Sequence, residues 1–200
     1  MFNILVDKLP MDINGYKIRT DYRVMIMFET LLLDNKIQDI DKIGLALEMF
    51  YETEVKDVSC AWDKMLWFYR GGEDSKGETG GVTKAKRLYD FEEEAGLIYT
   101  SFLDGHGIRL QNEKMHWWEF RNLFFTLPKE TPMHDRLMYR SIDANAYKGA
   151  ERKHILKMQN LYTLKALPTP PMTQEQKDKA YLDKMNRRYA EARAKCKKSN

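Results

Sequence analysis

The spacing of apolar residues predicts that this chain is organised around one aromatic-rich helix at residues 115–127. The apolar positions there recur at helical spacing, and we expect them to form a structural core motif: Trp117, Trp118, Phe120, Phe124 and Leu127. Phe125 widens the apolar face, and Pro128 ends the helix because proline cannot donate a backbone hydrogen bond. Aromatic side chains bury about 150–250 Å² each, so this helix is predicted to supply a large part of the core.

The same periodicity predicts further helices on both sides of that motif. They are expected at residues 21–33, 39–50, 57–69, 82–103, 133–141 and 151–164. In the 82–103 helix, Asp90 and the consecutive residues Glu92, Glu93 and Glu94 point around the helix, and we interpret them as a mostly solvated face. Cys60, next to Ala61 in the third helix, is interpreted as a small buried hydrophobe.

The two ends of the chain have different patterns. Asn14-Gly15 lies between short apolar segments and predicts a two-residue hairpin turn. Three prolines at residues 167–172 predict a stiff linker. We therefore predict a mainly α fold: a compact helical domain at residues 1–166 with a small N-terminal β-hairpin, the Pro-rich linker, and a basic helical tail at residues 173–200.

Charge is distributed unevenly between these parts. Residues 173–200 contain nine Lys or Arg and four Asp or Glu, a net charge of +5, so the other 172 residues carry −2 of the total of +3. No apolar run approaches the length of a membrane span. Cys60 and Cys196 are the only cysteines, which favours a reducing compartment over a disulfide-linked secreted protein.

No stretch of the chain completes a motif for phosphate or zinc binding. Gly72 and Gly77 have phosphate-loop spacing, but Glu78 stands where the phosphate-binding lysine belongs. His106 and His116 lack further ligands at zinc-site spacing. We predict no catalytic residues, no cofactor and no metal, and therefore a protein that is not an enzyme.

The basic tail is the candidate contact with a partner. Its predicted contact residues combine cations with two tyrosines: Lys184, Arg187, Arg188, Tyr181 and Tyr189. Cations and aromatic rings together could bind single-stranded nucleic acid, but the interleaved Asp178, Asp183 and Glu191 argue against it. A charged, solvated helix is the simpler interpretation.

Several blocks of sequence, in the same order, resemble the "gene product fifteen" family of long-tailed bacteriophages. The blocks are Leu9-Pro10, Asn14-Gly15, Ile18-Arg19-Thr20-Asp21-Tyr22-Arg23, Leu66-Trp67-Phe68-Tyr69, His116-Trp117-Trp118-Glu119-Phe120 and Met138-Tyr139-Arg140-Ser141-Ile142. The resemblance covers roughly residues 1–166, and the basic tail lies outside its firmest part. It provides no catalytic residues.

The resemblance implies a tail assembly chaperone, because family members are typically encoded between the major tail protein and the tape-measure protein. Such a chaperone binds the tape-measure protein and in some cases tail-tube subunits, acts in the host cytoplasm and is absent from the mature virion. A structural tail protein and a nucleic-acid-binding protein are the alternatives, and a homo- or hetero-oligomer is left open. The twelve methionines either fill the core or line an adaptable groove.

Overall fold

A computed structural model describes residues 2–73, 86–167, 178–179 and 181–185. The chain divides into two compact units, Met1–Leu167 and Pro168–Asn200. The described elements of the first unit are β1 (Asp12–Ile13), β2 (Tyr16–Lys17), α1 (Tyr22–Leu33), α2 (Asp39–Phe50), α3 (Val58–Tyr69), α4 (Ala95–His106), α5 (Trp117–Phe125), α6 (Pro132–Ser141) and α7 (Gly149–Leu161), with a 3-10 turn at Ala144–Ala146. The predicted mainly α class with a small N-terminal hairpin is confirmed.

The second unit is described only at residues 178–179 and 181–185, which are helical. The predicted phosphate-loop spacing at Gly72 and Gly77 lies partly outside the described residues, as do residues 168–172 of the predicted linker.

The hairpin forms because two adjacent residues adopt left-handed backbone geometry. Asn14 has φ 53° and Gly15 has φ 81°, the conformation that a two-residue turn requires. The strands pair Asp12 with Lys17 and Ile13 with Tyr16. Beyond β2, the Arg19 amide donates to the Phe50 carbonyl at 2.8 Å, so the hairpin lies against the C-terminal end of α2.

Helix α5 lies at the centre of the first unit. It packs against α1 and α4, and its N-terminus is capped by His116, whose Nδ1 accepts from the Trp118 amide at 3.1 Å. The Glu119 carboxylate accepts from the His116 amide in return, which completes a capping box. The helix ends at Phe125, before the expected Leu127, and Phe125 is 48% exposed rather than part of the buried face.

The predicted helix at residues 82–103 is wrong at residues 86–94, and its residues 82–85 lie outside the described part of the chain. Residues 86–90 are irregular, residues 91–94 form a turn, and α4 begins only at Ala95. The Asp90 carboxylate accepts from the amides of Glu92 and Glu93 at 2.8 and 2.7 Å, a local alternative to helical hydrogen bonding. The predicted solvated face is also wrong at Glu94, which is buried.

Three smaller expectations are corrected. Helix α7 ends at Leu161 instead of Leu164, and Ile155 is its only buried residue, so most of its predicted apolar stripe is not core. Cys60 is half-buried instead of buried, and its Sγ lies 3.6 Å from the side-chain amide nitrogen of Asn14. Cys60 lies on α3 beside the hairpin turn, and its side chain stays partly exposed there.

Candidate partner-binding surface

The predicted core motif lies inside the molecule rather than on its surface. All five of its residues are buried: Trp117, Trp118, Phe120, Phe124 and Leu127. The Trp118 indole donates to the Phe68 carbonyl at 2.7 Å, and the Trp117 indole donates to the Tyr69 carbonyl at 2.8 Å. The two rings therefore fix the C-terminal end of α3 against α5, and they support the surface without being accessible to a partner.

One surface depression lies between α2 and the loop that leads into α3. Its volume is about 570 Å³, and its lining residues are Arg19, Gly44, Leu47, Glu48, Tyr51, Glu52, Thr53, Glu54, Val55 and Val58. We call it the α2–α3 groove. Leu47 and Tyr51 form its buried apolar floor, whereas Val58 at the start of α3 is 54% exposed.

Arg19 holds one end of the α2–α3 groove in place. Its Nη1 donates to the carbonyls of Glu48, Met49 and Tyr51 at 2.9, 3.1 and 2.6 Å. Carbonyls at the end of a helix lack intrahelical donors, so one guanidinium satisfies the end of α2. The Arg19 guanidinium is therefore hydrogen-bonded to the backbone and helps to define the shape of the groove.

Tyr51 connects the floor of the groove to α3. Its hydroxyl donates to the Ala61 carbonyl at 3.1 Å. Burial raises the pKa of Tyr51 to about 12, with a smaller contribution from nearby Cys60. The phenol therefore stays neutral at physiological pH and can keep donating this hydrogen bond.

The rim of the α2–α3 groove is acidic. Glu48, Glu52 and Glu54 are all exposed, and within the described part of the chain their carboxylates have no ion pair or hydrogen-bond partner. Lys56 belongs to the same loop but does not line the groove. The groove thus combines an apolar floor with three carboxylates and one arginine, a net charge of −2 from these four side chains.

A second, smaller depression of about 400 Å³ lies beside the end of α7. Its lining residues are Lys86, Arg87, Arg140, Gln159, Asn160 and residues 162–167. Arg140 cannot serve a partner there, because its guanidinium donates to both oxygens of Glu94 at 2.7 and 2.9 Å. Its other contacts, to the carbonyls of Tyr162 and Leu88 at 2.6 and 2.8 Å, are also internal.

Glu94 is held in its ionised form by two arginines. Burial raises the pKa of this carboxyl, but the hydrogen bonds from Arg140 and Arg136 outweigh burial and hold the pKa below the ordinary value of 4.5. The Arg136 guanidinium lies 2.8 Å from Oε1. These ion pairs hold the turn before α4 against α6, so the cluster stabilises the fold.

A second carboxyl, Glu29, has a different environment. It accepts hydrogen bonds from the hydroxyls of Tyr69 and Tyr89 at 2.7 and 3.2 Å. Burial raises the pKa of Glu29 above its ordinary value, and the two tyrosine hydrogen bonds only partly oppose this effect. Burial together with this carboxylate also raises the pKa of both tyrosines.

His116 joins two segments of the fold. Burial lowers its pKa, although the Pro10 carbonyl and Glu119 oppose the shift. Its Nε2 lies 3.2 Å from the Pro10 carbonyl, so the ring joins the N-terminal segment to α5. In the described residues no group of three or more His, Cys, Asp or Glu is placed to hold a metal ion.

The predicted contact residues of the tail are only partly described. Tyr181 and Lys184 are both exposed on the helical residues 181–185. Arg187, Arg188 and Tyr189 lie outside the described residues. Their role in partner binding stays a prediction.

The core role predicted for the methionines is confirmed at Met25, Met65 and Met133, which are fully buried. Met11 and Met27 are exposed, but neither lines the α2–α3 groove. The described helices include none that is both long enough and apolar enough to cross a membrane.

Sequence reasoning missed the groove although all its lining residues except Arg19 lie within residues 44–58. Periodicity predicts the helices on either side of this stretch, but it does not show that the connection between them encloses a depression with Arg19. The one local signal was Gly44, a glycine inside an apolar helical pattern, which costs about 1 kcal/mol relative to alanine.

A comparison with protein families gives a match over most of the chain. The family model described as Bacteriophage Gp15 protein matches residues 5–164. Neither a curated protein nor a solved structure matches the chain.

Proposed function

The chain belongs to the bacteriophage Gp15 family, and from that premise we propose that it is a non-enzymatic tail assembly chaperone that binds the tape-measure protein. Tail-tube subunits, in particular the major tail protein, are proposed as a second client. The protein would act in the host cytoplasm and leave before the virion is complete. The gene position typical of the family, between the major tail protein and the tape-measure protein, supports this assignment.

The α2–α3 groove is the observation that carries the proposal. Tape-measure proteins are long and helical, and an amphipathic helix binds by laying its apolar face in an apolar groove. The groove has a buried floor, Leu47 and Tyr51, and an exposed apolar edge at Val58. Such a surface could cover a client's apolar stripe during assembly and release it afterwards.

Co-expression tests the proposal directly. The full chain is expressed with the tape-measure protein of the same phage, and the soluble fraction of the tape-measure protein is measured by centrifugation and affinity capture. We expect more soluble tape-measure protein and co-purification with the chain. An unrelated helical protein of similar size is the control. Equal solubility with the two proteins, without co-purification, would contradict the proposal.

Mass spectrometry of purified virions separates this function from a structural role in the tail. A chaperone is expected to be absent from virions or present far below one copy per tail ring. Stoichiometric presence would favour a structural tail protein instead. Salt-sensitive binding of the full chain to DNA would favour a nucleic-acid-binding role for the tail.

A further inference from the structure

We infer that the α2–α3 groove selects a helical client segment that places small or apolar residues against Gly44 and lysine or arginine beside the rim. This inference rests on the proposed function and specifies the chemistry of the client. It joins three features in or beside the groove: a glycine in α2 that faces open space, the exposed apolar residue Ile40 one turn before it, and the acidic rim.

Gly44 has no structural reason to be glycine within this fold. It lies in the middle of α2, it does not adopt positive φ, and a methyl group added there would meet nothing within 4 Å. Glycine inside a helix is destabilising, because it loses more backbone freedom on folding than alanine does. A glycine that lines a groove and faces open space is suited to close approach by another backbone.

An apolar stripe runs along the same face of α2. Ile40 precedes Gly44 by one helical turn, and Leu47 and Tyr51 follow at helical spacing. Ile40 is 72% exposed, so the stripe continues past the groove into solvent. Leu45, beside this face, is 44% exposed. Leu47 and Tyr51 are only 6% and 4% exposed, so Ile40 supplies most of the accessible apolar surface of the stripe.

The charge of the rim determines which kind of helix fits. Glu48, Glu52 and Glu54 surround the apolar floor without internal partners. The one cation in the lining, Arg19, is engaged by three backbone carbonyls. An acidic segment would meet like charge, whereas a segment with Lys or Arg beside its apolar face would complement the rim.

Two variants of the full chain test the inference, with the tape-measure protein of the same phage as the probe. Gly44→Leu fills the position of close approach, and Glu48→Lys with Glu52→Lys and Glu54→Lys reverses the rim. The matched controls are Gly96→Leu, at another helical glycine with open space around it, and lysine substitutions of three exposed glutamates elsewhere, Glu92, Glu113 and Glu130.

We expect each groove variant to weaken retention of the tape-measure protein by about tenfold or more, and each control to retain it as wild type does. If the groove variants retain it fully, the inference is overturned while the proposed function stands. If wild type itself retains none, the proposed function fails and the inference falls with it. Circular dichroism establishes that each variant is folded.

Photo-crosslinking gives a second measurement that leaves the groove nearly intact. A benzophenone side chain replaces Val58 in the groove or, as a control, the exposed Leu161 on α7. Crosslinks from position 58 to a tape-measure segment rich in Lys and Arg support the inference. Crosslinks from position 58 to an acidic segment, to a second copy of the chain or to the chain's own tail would overturn it, as would none in a complex that forms.

Discussion

Two groups of helices are held in place by different kinds of contact. The first group is α1, α3 and α5, and the second is α6 and α7. In the first region, which we call the aromatic region, rings pack closely: the Trp118 ring contacts Phe2, Trp67 and Phe68 with centroids 4.6, 5.4 and 5.6 Å away. In the second, the polar region, α6 and α7 bury only two large apolar side chains, Met133 and Ile155. Hydrogen bonds and one buried ion pair do most of the joining there.

Arg140 shows how the polar region works. Its guanidinium reaches Glu94 before α4 and the Tyr162 carbonyl after α7. The Gln159 side-chain amide adds bonds to the carbonyls of Tyr139 and Ile142 at 2.9 and 2.8 Å. Apolar packing tolerates small shifts because it is not directional, whereas these bonds require particular atoms at particular distances. The polar region is therefore expected to be more sensitive to a single charge change and to pH.

The largest expected effect is in the aromatic region. Trp118→Ala removes a fully buried ring and the hydrogen bond to Phe68, and it should lower the free energy of unfolding by about 3–5 kcal/mol. Urea denaturation followed by circular dichroism measures the change. Phe125→Ala, at the exposed end of the same helix, is the control and should cost much less. Equal losses would mean that α5 is not the centre of the core.

The next effect is in the polar region. Arg140→Met leaves the Glu94 carboxylate buried with only Arg136 beside it, and it should lower the free energy of unfolding by about 3 kcal/mol. Removing both charges, with Glu94→Leu added, should restore part of the loss, because the charge then left without its partner, Arg136, is partly exposed. Arg152→Met on the exposed side of α7 is the control. A double variant less stable than Arg140→Met would contradict this account.

The buried carboxyl of Glu94 and the half-buried carboxyl of Glu29 should give opposite pH dependences. Because the pKa of Glu94 is lowered, its contribution to stability is complete above pH 4.5 and is lost as pH falls through its folded-state pKa. Because the pKa of Glu29 is raised, its contribution is complete below pH 4.5 and is lost as pH rises through its folded-state pKa.

Thermal unfolding of Glu29→Gln, measured from below to above pH 4.5, tests the direction in which Glu29 changes stability with pH. Relative to wild type, the variant should become more stable as pH rises above 4.5, since glutamine can accept from Tyr69 without a charge. Glu94→Gln should show the opposite trend below pH 4.5. Parallel pH profiles for both variants and wild type would show that neither carboxyl titrates differently on folding.

The smallest effect is expected at Leu161, an exposed residue of α7. Leu161→Ala, at a residue that is 69% exposed, should change the free energy of unfolding by less than about 0.5 kcal/mol. Ile155→Ala, at the buried position of the same helix, should cost about 2–4 kcal/mol. Denaturant midpoints of the two variants measure the difference. A large loss at Leu161 would mean that apolar contacts hold α7 after all.

Features that depend on neighbouring residues were predictable from the sequence. Asn14-Gly15 specified its turn because both residues tolerate left-handed geometry, and Asp57 caps α3 by accepting from the Cys60 amide at 3.0 Å. The aromatic stripe identified the centre of the core, because large rings at helical spacing have no other stable place. Local chemistry and apolar periodicity therefore determined the fold class and most of the helices.

Features that depend on residues far apart in sequence were decided only by the tertiary structure. Glu94 is buried because Arg136 and Arg140, more than forty residues later, neutralise it, and no local pattern distinguishes it from solvated Glu92 and Glu93. The α2–α3 groove likewise exists only because Arg19 fastens the end of α2 and Tyr51 reaches α3. Long-range ion pairs and surface shape arise from the packing of distant segments, so the apolar periodicity of the sequence does not predict them.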